Sequence, residues 1–454
     1  MTNENPTLAR SIVAALKRHG IRAKSVKVLP ENTCAAILTS GLAKSDPSDA
    51  HWIALAHAKS LAQRFAKKGG LLIVLQDTEG CFRPLTDKAW WGGMSGLAKT
   101  AAREWPKASV RIIDIDRDAD TERIVADRLA RELMLGGDTL EIGLPADGRR
   151  LAPVLVDVKA NSTVSVMEPA TTWLVPGGAR GVTAACVIAL ARKQGGSFAL
   201  MGRSVLTDWP TDIPLTDNVN TLREALAIAC ANAGEKPKPA EISRRASSLL
   251  ASQEVRDTLA AVEKAGGKAL YIIGDITDAA SVAAAVEEAE MAFGNIDGLI
   301  HGAGVLADKL IADKTREQFD RVFQTKVKGL ELVLGVLSRH ELKSIALFSS
   351  VAARFGNAGQ VDYSMANEVL NRVAWSLKAA RPAARILSLN WGPWDGGMVT
   401  PSLRAKFEMA GISLIPINTG AELFADLVFG VDVGLELCIG SRLPKPEDGA
   451  GHAA

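Results

Sequence analysis

Four residues able to manage a proton and a developing negative charge occur within a short reach of the chain. Ser349-Ser350-Val351 closes a run that reads as a strand, and Tyr363 follows Ser350 by thirteen residues. Asn367 lies four residues further on, and positions i and i+4 share a helix face, so phenol and amide can project together. Lys326 stands upstream in QTKVKGL, a helical stretch. Its ammonium can reach the Tyr–Asn pair in three dimensions, although spacing alone does not bring it there. Hydride addition to a ketone develops negative charge on oxygen; one donor must protonate that oxygen and a second must hold it. Tyrosine titrates near ~10, too high for fast exchange, and a nearby cation lowers it by favouring the phenolate. Each residue alone is common and structurally bland. The set gains meaning from what precedes it.

What precedes it is a strand–turn–helix. Trp173–Val175 runs into Pro176-Gly177-Gly178-Ala179-Arg180-Gly181-Val182-Thr183 and then a helix. Glycines there allow a tight turn, close approach of backbone N–H groups to a pyrophosphate, and a favourable helix dipole. A glycine turn can also serve packing alone. The next strand ends in Gly202-Arg203-Ser204, where dinucleotide folds selective for NAD place an acid on the ribose. A guanidinium matches a phosphate bidentately, which favours NADPH over NADH.

A third strand ends at Asp275-Ile276, where Asp275 can accept from an adenine amino group. Thr277 or Asp278 can instead cap the helix that follows. A fourth ends in His301-Gly302-Ala303-Gly304, whose small residues let a cofactor lie flat. His301 reads as backbone packing or as an adenosine-side residue rather than as an acid, since Tyr363 is the better donor. A final strand leads to Pro393-Trp394, a Pro/Gly-rich turn that fits the nicotinamide side, and Thr400–Ile415 reads as a lid over an acyl chain or as core packing.

These residues need elements to hold them. The first 160 residues alternate helices (Leu8–Arg18, His51–Lys67, Thr121–Leu135) with β-branched runs at Ser25–Leu29, Ala35–Leu38, Leu71–Leu75 and Val110–Ile115. That alternation predicts a parallel sheet with helices on its faces. Leu140–Leu144 and Leu151–Val156, around the turn at Gly148–Arg150, read as a closing hairpin. The polar, turn-rich stretch Asp157–Pro169 marks a boundary, and residues 170–454 repeat the βαβ series. Only the second unit carries a phosphate-binding turn. In the first, the strand equivalent to the opening one is missing, which predicts a shortened sheet or a piece of a longer chain. Leu206–Gln253 interrupts the second unit with helix-forming sequence and a Pro/Lys-rich break, a structural insertion or a docking surface. The fold class is therefore α/β, with two Rossmann-like doubly wound parallel-sheet units, the first degenerate and structural, the second catalytic.

Composition sets the outer limits. The 454 residues suffice for two or three folding units; 47% are apolar and 23% charged, as in ordinary globular proteins. A net charge of +2 gives no footprint for nucleic acid, and no polybasic block suggests a membrane surface. Five scattered cysteines without CxxC spacing read as reduced thiols of a cytoplasmic protein. Six scattered histidines offer no metal motif.

Taken together, Gly177-Gly178-x-x-Gly181, Gly202-Arg203-Ser204, Asp275-Ile276-Thr277-Asp278, His301-Gly302-Ala303-Gly304-Val305-Leu306, Lys326, Phe348-Ser349-Ser350, Gly359-Gln360-x-x-Tyr363-x-x-x-Asn367 and Asn390-Trp391-Gly392-Pro393 resemble the ketoreductase domain of modular polyketide and fatty acid synthases. In that family Lys and Asn are exchanged relative to the Tyr-x-x-x-Lys of ordinary short-chain dehydrogenases, and this chain shows the exchanged form. GGARGVTAACVIALA, HGAGVLADKLI and NWGPWDGGMVTP are similar to the ketoreductase of bacterial polyunsaturated fatty acid synthases. The resemblance covers nearly the whole chain, with Leu71–Thr100 falling in the family's non-catalytic supporting subdomain. It implies NADPH as cofactor and a β-ketoacyl group on the phosphopantetheine of an acyl carrier protein as substrate. It also implies other synthase domains as partners, with no nucleic acid and no membrane. Thr183 and Pro176 depart from the family's turn, which predicts altered packing rather than lost binding. Leu306-Ala307-Asp308 keeps one Asp of the signature tied to D-hydroxy products, and Phe355 replaces the Trp of the opposite class, which points to a 3R product. The rival readings are a catalytically idle scaffold within a synthase and a reductase of small free ketones.

Overall fold

The computed structural model describes residues 1–43, 45–118, 120–158, 161–164, 170–399, 401–409 and 411–441. Its first unit is a four-stranded parallel sheet in the order β1 (Ala35–Gly41), β2 (Gly70–Gln76), β3 (Ala108–Ile115), β4 (Glu141–Leu144). The helices are α1 (Pro6–Arg18), α2 (Pro47–Lys68), α3 (Met94–Glu104) and α4 (Glu122–Leu135). Alternate strand residues face opposite ways. Leu72, Val74 and Ile112 bury against α2 and α3, while Ile73, Leu75 and Ile113 bury against α1 and α4. The start signals are local: Asn5, Asp46 and Thr121 accept from the first-turn N–H groups of α1, α2 and α4.

Two expectations fail here. Ser25–Leu29 forms no strand; Val26 donates to the Met1 carbonyl and the Met1 ammonium to the Lys24 carbonyl, both at 2.9 Å, and no ladder extends from this pair among the described residues. The hairpin of Leu140–Leu144 with Leu151–Val156 is reduced to one bridge. β4 pairs in parallel with β3, and only Gly143 and Leu151 exchange antiparallel hydrogen bonds, at 2.8 and 2.9 Å. The parallel pairing places Ile142 and Leu144 on the face buried against α1 and α4. The predicted boundary stretch is described only in part; residues 159–160 and 165–169 lie outside the described residues.

After β5 (Asn161–Val164) comes the second unit: β6 (Thr172–Pro176), α5 (Gly181–Gln194), β7 (Ser197–Gly202), α6 (Val219–Asn232), α7 (Pro239–Lys264), β8 (Lys268–Ile273), α8 (Ala279–Phe293), β9 (Gly298–His301), α9 (Arg316–Phe323), α10 (Gly329–Val336), β10 (Ser344–Ser350), α11 (Val351–Phe355), α12 (Val361–Ala380), β11 (Arg385–Trp391), α13 (Pro401–Met409), α14 (Ile417–Phe429), β12 (Val431–Asp432) and β13 (Glu436–Ile439). β5 and β12 form a small antiparallel ribbon. The other seven strands make one parallel sheet ordered β13-β11-β10-β9-β6-β7-β8. Its strand order reverses between β6 and β9, and a crevice at the carboxyl ends of those strands is where such sheets bind ligands.

The inserted stretch Leu206–Gln253 supplies α6 and the start of α7, with a small core of its own around Ile213, Leu222, Leu226, Ala246 and Leu249. The two units meet along α3 and α12. A Cβ on Gly96 would lie 2.5–2.6 Å from backbone atoms of Ser364 and Met365, so α3 presses on α12 backbone to backbone. Burial continues through Leu97 and Ala98 into Met365 and Val369.

Candidate active site

Every predicted site residue sits at the carboxyl edge of the second sheet or on the helices beside it. Ser350 ends β10 and caps α11, its hydroxyl accepting from the Ala352 N–H at 3.1 Å. Tyr363 and Asn367 lie on the first two turns of α12, where the Asn367 amide donates to the Tyr363 carbonyl at 2.8 Å. Asn367 is wholly buried, and its Oδ1 has no partner among the described residues. Lys326 is brought to them by a π-helical turn, Gln324–Lys328, between α9 and α10. Its ammonium lies 5.5 Å from the Tyr363 ring centre and donates to the Phe348 carbonyl at 2.8 Å. The structure thus assembles all four residues that spacing alone could not. π-turns often occur at functional sites, and nothing in QTKVKGL announces one.

Burial pushes the Tyr363 phenol above its ordinary value, while hydrogen bonding to the Asn367 and Ser350 side chains draws it back. Desolvation brings the Lys326 ammonium down to about 7, and its proton is directed at the Phe348 carbonyl. His301 is buried and falls to about 3, through desolvation and then the charge of Lys326, so it stays neutral. Its Nε2 meets the Lys326 carbonyl at 2.9 Å, which supports the packing role.

The turn after β6 has the shape a dinucleotide needs. Gly177 adopts φ +77°, and a Cβ there would meet the Ala303 N and Gly302 C at 2.7–2.9 Å, so the turn lies directly against the loop after β9. Gly178 and buried Ala179 continue it, and Gly181 opens α5 with φ +63°. Val182 faces Gly397 in the loop after β11. Thr183, the departure from the family pattern, packs its side chain where a Cβ on Gly302 would stand, 2.5 Å from its Cγ2 and Oγ1. A larger residue in the turn is matched by a missing one opposite. Gly304 approaches the Lys326 Cε in the same way.

Arg203 is exposed, with no hydrogen bond or ion pair among the described residues, and Asp275 is the charge it acts on. Ser204 stays beside it, its carbonyl taken by the Tyr271 hydroxyl at 2.8 Å. Asp275 accepts from the Thr277 N–H and hydroxyl at 2.9 and 2.7 Å, which lower it, while Ile276 is buried. Asp278, one of the two proposed caps, caps α8.

Two residues do not point as expected. Arg180 pairs with Glu254 of α7 at 3.0 Å, and the Gly181 N–H donates to the same carboxylate at 2.8 Å. Trp394 is buried, its ring 4.7 Å from that of Trp391 and packed on Gly420, so any contact with a ligand must come from its backbone. Pro393 accepts from the Ile415 N–H at 2.8 Å, tying this loop to the start of α14. Of the lid segment, residues 400 and 410 lie outside the described residues; α13 occupies 401–409.

The sequence reading missed a buried charge cluster behind α12. Glu368 accepts from Lys99, Arg354 and Arg372 at 3.3, 3.1 and 2.6 Å, and Lys99 also meets Glu141 at 2.9 Å. Lys99 and Glu141 belong to the first unit, so ion pairs span the joint next to Asn367. The available signal was three charged residues (Asp362, Glu368, Arg372) on a helix otherwise destined for the core.

A switch-point crevice, a glycine turn and the grouping of Ser350, Tyr363, Lys326 and Asn367 sit on an α/β fold of the short-chain dehydrogenase kind. Residues 171–396 match the KR domain family, and the chain carries the ketoreductase domain of polyketide and polyunsaturated fatty acid synthases. It is 36% identical over 374 residues to a polyunsaturated fatty acid synthase polypeptide of Thraustochytrium sp., covering 80% of this chain and 13% of that protein. It is 32% identical over 166 residues to polyketide synthase PksL of Bacillus subtilis, covering 36% of this chain and 4% of that one. The chain therefore spans a small fraction of either relative's length. Among solved structures, a C2-type ketoreductase from a modular polyketide synthase superposes with a TM-score of 0.72 at 18% identity, covering 97% of this chain and 90% of that one. The first ketoreductase of the tylosin synthase gives 0.70 at 19% identity, covering 97% and 88%. At these identities the likeness shows the fold. Among the described residues, no helix is long and apolar enough to cross a membrane.

Proposed function

We propose that this chain reduces the β-ketone of an acyl thioester carried on an acyl carrier protein, using NADPH, and leaves a 3R-hydroxyacyl product. The observation that carries the reading is the convergence of Lys326, Ser350, Tyr363 and Asn367 beside the glycine turn. The crevice fits a dinucleotide: a glycine turn at Gly177 packed backbone to backbone on the loop after β9, and, among the described residues, an unpaired guanidinium at Arg203 and an orphaned acceptor on Asn367. When bound, NADPH supplies the hydride.

The chain's own residues do the rest. Gly177, Gly178, Ala179, Gly181 and Val182 hold the pyrophosphate, with Arg203 and Ser204 on the 2′-phosphate. Asp275 and Ile276 flank the adenine, Gly302, Ala303 and Gly304 give the cofactor a flat floor, and Pro393 closes the nicotinamide side. Ser350 and Tyr363 hydrogen-bond the ketone oxygen, and Tyr363 gives up its proton as charge develops there. A raised phenol pKa keeps that proton in place until it is needed. Lys326 then stabilises the phenolate, and the free Oδ1 of Asn367 orients Lys326 or a relay water. The carrier and the other synthase domains reach the site from the rest of a larger protein or in trans, in the cytoplasm.

The test is NADPH consumption with a β-ketoacyl group on a carrier protein, compared with NADH and with a free ketone. Turnover that prefers NADPH and the carrier supports the reading; folded protein that binds cofactor without turnover supports the scaffold instead.

A further inference from the structure

Two loops face one another beside Tyr363. One, 306–314, follows β9; the other, 356–360, leads into α12. Three links join their outer parts. The Lys309 N–H donates to the Gly359 carbonyl at 2.8 Å. The Gln360 amide donates to both Asp308 oxygens at 3.1–3.2 Å. Glu104 of α3 accepts from the N–H groups of Gly359 and Ile311, both at 2.9 Å.

Beneath them lies a buried ion pair that the chemistry above does not use. Lys314 is 0% and Asp362 1% exposed, with Nζ 2.8 Å from Oδ2. The same ammonium donates to the Ala307 carbonyl at 2.5 Å, and the other Asp362 oxygen accepts from the Tyr363 N–H at 2.9 Å. An unbroken chain of charge-assisted bonds thus runs from Ala307 to the backbone of Tyr363. The first unit grips it as well, since Lys59 donates to the Lys314 carbonyl at 2.8 Å. A buried ion pair seldom adds net stability over apolar residues of similar volume, so stability alone gives no reason for one here. Fixing a geometry does, because a 1 Å misplacement at a reacting centre can cost ~10²-fold in rate.

We propose that Lys314 and Asp362 are a positioning pair that holds the Leu306–Asp308 loop at a set distance from Tyr363 and thereby keeps the phenol in register with the ketone it protonates. This rests on the ketoreductase reading. Neither residue touches the reacting atoms; both act through Ala307 and the Tyr363 backbone.

The test compares wild type with Lys314→Met/Asp362→Leu, whose apolar pair should fold, and with Asp362→Asn, which keeps an acceptor for the Tyr363 N–H. Amide exchange is read first, without substrate. In the double variant it should quicken about tenfold or more at 306–311 and 359–363 and stay unchanged in β6 to β9. With substrate, kcat should fall by about tenfold or more, and KM should move little. Asp362→Asn should fall between the two. Unchanged exchange in both segments would overturn the proposal. So would a lower melting temperature with kcat per folded molecule intact, since that outcome is purely structural. If the wild type reduces no ketone, the functional reading fails, while exchange still decides whether the pair holds the loop.

Discussion

Replacing Lys326 with Met should make the protein more stable at neutral pH, and the gain should vanish as pH rises. The ammonium is 2% exposed, and burial lowers it from 10.5 to about 7. Between pH 7 and 10.5 the unfolded chain holds a proton that the fold has released. The unfolded state then binds more protons, so wild-type unfolding free energy rises with pH across that window and is flat below it. At ~1.4 kcal/mol per pH unit, the window spans on the order of 5 kcal/mol, reduced in practice by relaxation and water entry. Loss of the bond to the Phe348 carbonyl subtracts about 1 kcal/mol from the variant at every pH. Denaturant unfolding between pH 6 and 10 measures the difference. Wild type should gain about 2–3 kcal/mol on the variant between pH 7 and 9. Parallel curves for the two proteins would refute the claim that Lys326 is a desolvated cation. The variant's expected loss of reductase activity would then need another cause.

Arg203→Ala should weaken NADPH binding by about 10–100-fold and leave NADH nearly unchanged, since a charge-assisted bond is worth ~1.5–3 kcal/mol; cofactor fluorescence titration reads both. Gly302→Ala places a methyl 2.5 Å from the Thr183 side chain. It should cost about 1–3 kcal/mol by overpacking and weaken cofactor binding, and Thr183→Gly in the same protein should restore most of both, as melting curves and titration will show.

The strands of the catalytic sheet were legible because buried parallel strands read as apolar runs bounded by turn residues, and six of its seven were named from such runs. The seventh, Glu436–Ile439, is short, and its Glu436 faces the buried charge cluster, so it lacked that signature. Ser25–Leu29 had the β-branched pattern of a strand but no neighbour to pair with, and pairing is decided by tertiary placement rather than by propensity. At the site, Tyr363 and Asn367 were readable because four residues on a helix is a fixed geometry. Lys326 was named as a candidate, but its approach was not readable, because it depends on a π-turn. Beyond the charged residues on α12, neither the Lys314–Asp362 pair nor the Lys99–Glu368 joint has a local signal. Their members lie 48 and 269 residues apart, and only the packing of the loop 306–314 and of α3 against α12 brings them together.

If Tyr363 delivers the proton in an NADPH-dependent ketone reduction, turnover needs its hydroxyl. The direct measurement is the loss of absorbance at 340 nm with a β-ketoacyl thioester, wild type against Tyr363→Phe, with cofactor affinity measured alongside. Turnover in the wild type and a fall of about 10²–10⁴-fold in the variant, at unchanged NADPH affinity, are expected. Equal turnover in the two proteins, or none in a folded wild type given carrier-bound substrate, would contradict that role for Tyr363.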